Sequence, residues 1–424
     1  MQVANDFRLD SWVEISANSD FPIYNLPLGI IKHKNGNISA ATAIGEYVID
    51  ISVLHRSDYF KDITLPAGIF EKASLNDFMA LGKPVFRLVR QRLMALLTRD
   101  NPELRDNKQA IAQALFKSSD VEMLMPVQVG DYTDFYSSKE HATNVGSMFR
   151  DPKNALLPNW VHLPVAYHGR ASSILVSGHD FHRPKGQITP PGINEPSFSP
   201  SKAMDFELEM AFVIGKSTKL GQSLTTSEAD DYIFGMTLFN DWSARDIQRW
   251  EYVPLGPFLA KNFASTMSPW IISMEALEPF RTKAPDQNPE VLPYLRRSRN
   301  DGAIDIMLEV WLQAENSEAM KICTSNYKYL YWTMDQQLAH HTINGCNINV
   351  GDLMASGTIS GPTPDSFGSM LELTWNGSKP ITLPNGQERK FLQDGDTVII
   401  KGYCQKDNIR IGFGEAKAKV LPTL

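Results

Sequence analysis

From residue 119 onward the chain is a succession of short β-type runs with no regular helices between them. This excludes a doubly wound parallel sheet, in which strands must alternate with crossover helices. Strand character recurs at Phe206–Ile214, Ile233–Asn240, Ile304–Leu312, Asp352–Ser356, Met370–Trp375, Thr397–Cys404 and Ile409–Phe413, with Gly and Pro punctuating the intervals. The pattern predicts a mainly β or α+β domain built on mixed or antiparallel sheets. Residues 184–200, rich in Pro and Gly, read as a long ordered loop or a lid, the lid reaching to residue 203.

Residues 1–118 read as a separate small unit. The runs Phe21–Ile31 and Ile38–Leu54 flank a turn signal, Lys34-Asn35-Gly36-Asn37. Ser74 stands at capping-box spacing from Asp77, and after Pro84 the residues Val85, Leu88, Val89, Leu93 and Leu96 recur at helical intervals. No acids or histidines cluster here, so a structural or dimer-supporting role is expected. Two units also suit the length of 424 residues, since a single core stops growing at roughly 250–300.

Composition narrows the function. With 41 basic and 48 acidic residues the net charge is −7, which argues against a nucleic-acid partner. Cys323, Cys346 and Cys404 form no CxxC, so neither a disulfide framework nor a thiolate zinc site is suggested. The segment MQVANDFRLDSWVEIS lacks the apolar region of a signal peptide. No apolar run approaches the ~20 residues of a membrane span. A soluble, cytoplasmic protein with reduced thiols and no membrane partner is the expectation.

The segment MDFELEMAFVI (204–214) carries the most chemistry. Read as a strand, Phe206, Leu208, Met210, Phe212 and Ile214 share one face, and Glu207 and Glu209 share the other with Ala211 and Val213. Two strand residues separate the glutamates by about 6.6 Å at Cα, so both carboxylates can lean onto one hard cation. An edge strand with two solvent-facing glutamates would show the same spacing. Asp241 ends an apolar run, and Asp134 lies seven residues before His141. Four carboxylates with no cysteine and no HExxH suit calcium or magnesium better than zinc.

After Asp241, WSARDIQRWEY has helical character, with Ser243 and Asp246 at capping-box spacing. Arg245, Gln248 and Tyr252 then share one face, a surface suited to a carboxylate or oxyanion, or an ordinary solvated face. Among nine histidines His141 stands out by its polar surroundings, with His168 and the pair His340-His341 as rivals. That pair stands near the end of a helix stopped by Asn344-Gly345. As a base His141 needs an orienting carboxylate, for which Glu372 is a candidate. No G-x-S-x-G elbow, P-loop, dinucleotide fingerprint or zincin pattern occurs.

Longer blocks are more specific. GDYTDFYSSKEHATNVGSMFR, NALLPNWVHLPVAYHGRASSI, DFELEMAFVIG, FNDWSARDIQRWEYVPLGPFLAKNF, YWTMDQQLAHHTINGCN and GDLMASGTISGPTPDSFGSMLEL resemble the fumarylacetoacetate hydrolase family. The likeness covers nearly the whole chain and is densest from Val129 to Leu373. It implies an SH3-like N-terminal barrel (1–118), a C-terminal mixed β-rich catalytic domain (119–424) and a homodimer. It implies a catalytic Ca2+ on Asp134, Glu207, Glu209 and Asp241, and a general base His141 oriented by Glu372. Tyr136, Arg150, Gln248, Tyr252 and Thr358 would hold the substrate, and Tyr167 would line its pocket. Arg245, Gln248 and Lys261 would offset developing negative charge. A second cation, Mg2+, would sit near Asp241, Lys261 and Ser265, where the family typically has threonine in place of Ser265.

The implied reaction is hydrolysis of the carbon–carbon bond of 4-fumarylacetoacetate to fumarate and acetoacetate, the last step of tyrosine and phenylalanine catabolism. The divalent ion would act as a Lewis acid on the diketo oxygens while His141 takes a proton from water. Rival readings are another reaction on the same fold (acylpyruvate hydrolase, decarboxylase or tautomerase) and a non-catalytic metal-binding protein.

Overall fold

The run at 206–214 folds as the strand Leu208–Ile214, buried along its whole length. Leu208, Met210, Phe212 and Ile214 enter the main core, together with Phe206 just before the strand. Ala211 and Val213 enter a second core shared with the N-terminal unit. A strand covered on both faces needs apolar residues at nearly every position, as this one has. The structure, a computed structural model, describes residues 9–189, 192, 193 and 195–424.

This strand sits in the middle of an eight-stranded sheet. Its order is Ala166–Gly169, Tyr132–Phe135, Leu353–Ala355, Leu208–Ile214, Ile233–Asp241, Ser265–Met267 and Ile174–Val176, with Ile272–Ser273 paired beside Ile233–Asp241. Leu353–Ala355 runs parallel to Tyr132–Phe135, and Ser265–Met267 parallel to Ile174–Val176. The other pairings are antiparallel, so the sheet is mixed as expected. A second sheet, ordered Met320–Asn326, Met307–Gln313, Thr397–Lys406, Ile409–Leu421 and Phe181–His182, packs on the main-core side. Gly402 makes that approach close: a Cβ there would stand 2.8 Å from Leu238 Cδ2 of the central sheet.

The opposite face of the central sheet is covered by the N-terminal unit, an antiparallel sheet in the order Leu115–Lys117, Tyr47–Asp50, Ile38–Ile44, Leu28–Lys32 and Glu122–Leu124. Phe234, Phe239, Met267, Ile271, Leu353 and Ala355 share a core with it. Leu28 and Ile271 exchange main-chain hydrogen bonds of 3.0 and 2.9 Å, which fasten the two layers. Among the described residues no helix is long and apolar enough to cross a membrane.

Local chemistry explains where sequence and structure agree and where they part. The turn at 34–37 forms, with Gly36 at φ +88°. The run expected at 38–54 is broken by Gly45 (φ +58°), and the Asp50 carboxylate then caps a helix, Ile51–Arg56, by accepting the N–H groups of Ser52 and Val53. The helix after Pro84 forms as Lys83–Leu97 and buries Phe86, Val89, Leu93 and Leu96, but Leu88 is 49% exposed. No cap forms at Ser74. The helix Asn76–Met79 follows Leu75, which is buried and bonded through its N–H to Pro126, so packing sets its start.

Three further expectations are corrected. Ile304–Leu312 is two strands, Ala303–Ile304 and Met307–Gln313. Met370–Trp375 is not a strand but carries the short helix Met370–Leu373, because Ser369 caps it by accepting the N–H of Glu372. Short apolar runs do not distinguish the two states. Residues 184–200 are not a long loop: Lys185–Ile188 and Ser197–Pro200 pair as an antiparallel hairpin. Positions 190, 191 and 194 of the expected lid lie outside the described residues. The hairpin is pinned to the helix Arg245–Glu251, with Trp250 Nε1–H donating to Gln187 Oε1 (3.1 Å) and Arg249 to the Thr189 carbonyl (2.7 Å).

Phe212→Ala should cost about 3–5 kcal/mol, the range for deleting a fully buried aromatic ring. Leu88→Ala should change stability by less than about 0.5 kcal/mol. Urea unfolding monitored by fluorescence and circular dichroism checks both.

Candidate active site

Four strand ends bring four acids together. Asp134 is on Tyr132–Phe135, Glu209 on Leu208–Ile214 and Asp241 at the end of Ile233–Asp241, while Glu207 immediately precedes its strand. Ladder pairing sets Asp134 beside Ala355 and Tyr167, and Asp241 beside Ser265. One carboxylate oxygen from each of Asp134, Glu207, Glu209 and Asp241 lies within 4.8 Å of the others, and all four residues are buried. The edge-strand alternative is therefore wrong: neither glutamate faces solvent.

Such a cluster must be compensated. Lys261 Nζ donates to Glu207 Oε2 and, at 2.7 Å, to Asp241 Oδ2. Arg245 Nη1 pairs with Glu207 Oε1 at 2.7 Å. Burial opposes the charge on Glu207, but Lys261, Arg245 and His141 outweigh it and hold its carboxyl down to about 2. The other two glimpsed in the cluster behave oppositely. Burial, then Asp241, pushes Asp134 well above the usual carboxylate range, and burial, then Asp134, does the same to Glu209. Their polar neighbours include the Gly357 N–H, which donates to Asp134 Oδ1 and Glu209 Oε2 at 3.1 Å each. Glu209 Oε1 is buried with no hydrogen-bond partner among the described residues. A buried, unpaired carboxylate oxygen among three more carboxylates fits a hard divalent cation, whose charge would satisfy both raised groups.

The remaining predicted cluster members are adjacent. Tyr167 OH donates to Asp241 Oδ2 at 2.6 Å, and Ser265 Oγ to Asp241 Oδ1 at 3.2 Å. The expected cap of Ser243 on Asp246 does not form. Ala244 precedes the helix with no side-chain cap, and the Asp246 carboxylate instead accepts from Ser201 Oγ and the Lys202 N–H, both at 2.6 Å.

His141 opens a second grouping. It sits in the first turn of the helix Lys139–Phe149, where Ser138 Oγ accepts its N–H. His141 Nδ1 and Glu372 Oε2 are 2.6 Å apart, and both side chains are almost completely buried. Glu372 also accepts from Asn144, Ser360 and Ser369, each at 2.9 Å. Burial disfavours its charge, but His141 and these donors outweigh burial and leave its pKa below the ordinary value. A charged Glu372 assigns the proton to Nδ1 and leaves the Nε2 lone pair free. The Tyr136 ring packs edge-on against the imidazole, centroids 5.2 Å apart.

The other predicted residues are placed less tightly. Gln248 Oε1 accepts from Arg245 Nη1 at 3.3 Å, and Thr358 is buried next to Gly357. Tyr252 ends the helix Arg245–Glu251 and is 50% exposed, so it does not join the buried grouping. Arg150 is exposed, its guanidinium donating to the Ala155 carbonyl at 2.6 Å. The rival histidines are accounted for elsewhere: His341 bonds Thr133 and His340 bonds Tyr294, both at 3.0 Å, and His168 is exposed on the strand Ala166–Gly169.

Sequence reasoning missed Asp205, Asn144, Ser360 and Ser369. Asp205 accepts from Arg245 Nε (2.8 Å) and from the N–H groups of Met370 (2.6 Å) and Leu371 (3.0 Å). The available signals were the proximity of Asp205 to Glu207 in DFELE and the capping-box spacing of Ser369 to Glu372; Asn144 and Ser360 gave none, because neither stands at a local-motif spacing from Glu372.

The family described as Fumarylacetoacetate (FAA) hydrolase C-terminal matches residues 131–421, and that described as Fumarylacetoacetase N-terminal matches residues 24–126. The chain is 52% identical over 420 residues to a fumarylacetoacetase of Dictyostelium discoideum, covering 98% of each protein. It is 51% identical over 416 residues to the fumarylacetoacetase of Homo sapiens, covering 98% of this chain and 99% of that protein. The solved fumarylacetoacetate hydrolase of Exiguobacterium antarcticum superposes with a TM-score of 0.52 at 15% identity, over 94% of this chain and 99% of that one, a likeness of fold.

Removing one charge from an undercompensated cluster should relieve the metal-free protein. Glu209→Gln is expected to melt a few degrees higher than the parent when both are in chelator. The same variant should lose the stabilisation that added divalent ion gives the parent. Differential scanning calorimetry with and without Ca2+ checks both halves.

Proposed function

The chain belongs to the fumarylacetoacetate hydrolase family, and on that premise we propose how it performs its reaction. It hydrolyses fumarylacetoacetate to fumarate and acetoacetate. The observation that carries the reading is the convergence of four buried carboxylates beside a histidine–glutamate pair. Asp134, Glu207, Glu209 and Asp241 would hold a divalent cation, which would supply Lewis acidity for a carbanion-like leaving group.

The chain's own groups do the rest. His141 Nε2 takes a proton from the attacking water, and the Glu372 carboxylate supports the imidazolium that forms. Arg245 and Lys261 bring two positive charges to the place where negative charge develops. Arg245 Nη2 is buried without a hydrogen-bond partner, which leaves it free to donate to a substrate oxygen. Gln248 orients that guanidinium. Tyr136, Tyr167 and Thr358 would contact the substrate, and the exposed Arg150 and Tyr252 would meet its terminal carboxylates.

We assign calcium to the acid cluster. Four buried carboxylates with no thiolate or imidazole among them support a hard, oxygen-seeking cation of that class. Magnesium would sit at a second position near Asp241, Ser265 and Lys261, where Ser265 Oγ already meets Asp241 Oδ1 at 3.2 Å. We divide the chain near 118/119 into an SH3-like unit and the catalytic unit, with the strand Glu122–Leu124 returning to the sheet of the first. The protein acts in the cytoplasm as a homodimer. The exposed apolar side chains of Val253, Leu255 and Phe258, which are 66%, 96% and 66% exposed in one short segment, support an association surface.

His141→Ala should lower turnover by about 10²–10⁴-fold while fold and divalent-ion content are kept. Near-normal hydrolysis, followed as loss of fumarylacetoacetate absorbance, would remove His141 from the base role. Dialysis against chelator should abolish turnover, and calcium or magnesium should restore it. Leu255→Asp with Phe258→Asp should shift the particle toward the 47.5 kDa monomer in light scattering; an unchanged mass would place the interface elsewhere.

A further inference from the structure

The helix Lys139–Phe149 presents His141 and Asn144 three residues apart, on one face. Both meet Glu372. Asn144 Nδ2 donates to Oε1 at 2.9 Å, while His141 Nδ1 and the hydroxyls of Ser360 and Ser369 all converge on Oε2 at 2.6, 2.9 and 2.9 Å. The two carboxylate oxygens are thus distinguished by their partners. Glu372 is fully buried, so no solvent can replace Asn144 at Oε1 without rearrangement.

We propose that Asn144 is a positioning residue for the general base: it grips Oε1 of Glu372, fixes the carboxylate plane and so presents Oε2 to the His141 Nδ1–H. The inference rests on the reading of His141 as base. A carboxylate gripped through one oxygen only can rotate about its last bond, and the imidazole then loses a defined direction for Nε2. A buried anionic oxygen left without a donor is also costly, which favours rotation over waiting in place. Asn144 acts through Glu372 and need not touch the substrate. The ionisable groups around the pair are Glu140 on the same helix, Tyr136 ahead of it, Glu207 across the site and Cys323 beyond Glu372.

The test uses the full-length enzyme loaded with Ca2+. Asn144→Ala should lower kcat about tenfold and leave KM within about twofold. Asn144→Asp, of the same shape but offering a second carboxylate, should lower kcat further. It should also move the acid limb of the kcat profile to higher pH, because added negative charge favours the imidazolium. In a Glu372→Gln background, Asn144→Ala should cost nothing more, as expected of residues that act as one unit. The inference is overturned if Asn144→Ala keeps the parent kcat, if Asn144→Asp keeps the parent pH profile, or if Asn144→Ala costs its full factor in the Glu372→Gln background. His141→Ala separates the two levels: if it retains turnover, the base assignment fails; if it is dead while the Asn144 variants match the parent, the positioning role alone fails.

Discussion

Four carboxylates gathered out of water within 4.8 Å of one another are the condition that the rest of the molecule answers. Isolated buried charges of one sign are among the costliest features a fold can carry. Here the cost is met in parts. Lys261 and Arg245 settle Glu207 and Asp241, whereas Asp134 and Glu209 keep raised pKa values and Glu209 keeps an unpartnered oxygen. The protein therefore carries a built-in demand for one more positive charge, which a divalent ion held among the four carboxylates would meet.

The sheet makes the cluster possible by holding its backbone rigidly. Leu208–Ile214 is packed on both faces, so Glu209 cannot swing outward without disrupting two cores. Gly357, at φ +77° and with no room for a Cβ (which would lie 2.2 Å from the Phe135 carbonyl), brings its N–H onto Asp134 and Glu209 together. Asp205 links this half of the site to the other, since one carboxylate accepts from Arg245 and from the main chain that begins the helix of Glu372. In the proposed mechanism, Asp205 would thereby keep charge stabilisation and proton abstraction in register without touching a reacting atom.

Much of this was legible in the sequence, for identifiable reasons. Alternation in MDFELEMAFVI assigned the two faces correctly because a strand's period of two admits no other arrangement. The helix after Pro84 was legible too, although its buried face ran through Phe86 rather than Leu88, a matter of tertiary packing. What could not be read were contacts between residues far apart in the chain, such as Asn144 with Glu372 or Asp205 with Met370. Short segments also misled: MLEL became a helix through a single serine cap, and the capping spacings at Ser74 and Ser243 formed no caps because tertiary partners claimed those places. Helical spacing put Tyr252 on one face with Arg245 and Gln248, and the resemblance of long sequence blocks implied the roles of Arg150 and Tyr252, but the structure leaves both exposed.

The central claim is that one divalent ion sits among Asp134, Glu207, Glu209 and Asp241. A crystal soaked in Mn2+ and measured at the manganese absorption edge tests it directly. The account predicts a strong anomalous peak within coordination reach of all four carboxylates. Anomalous density confined to other parts of the molecule, with those carboxylates left bare, would contradict it.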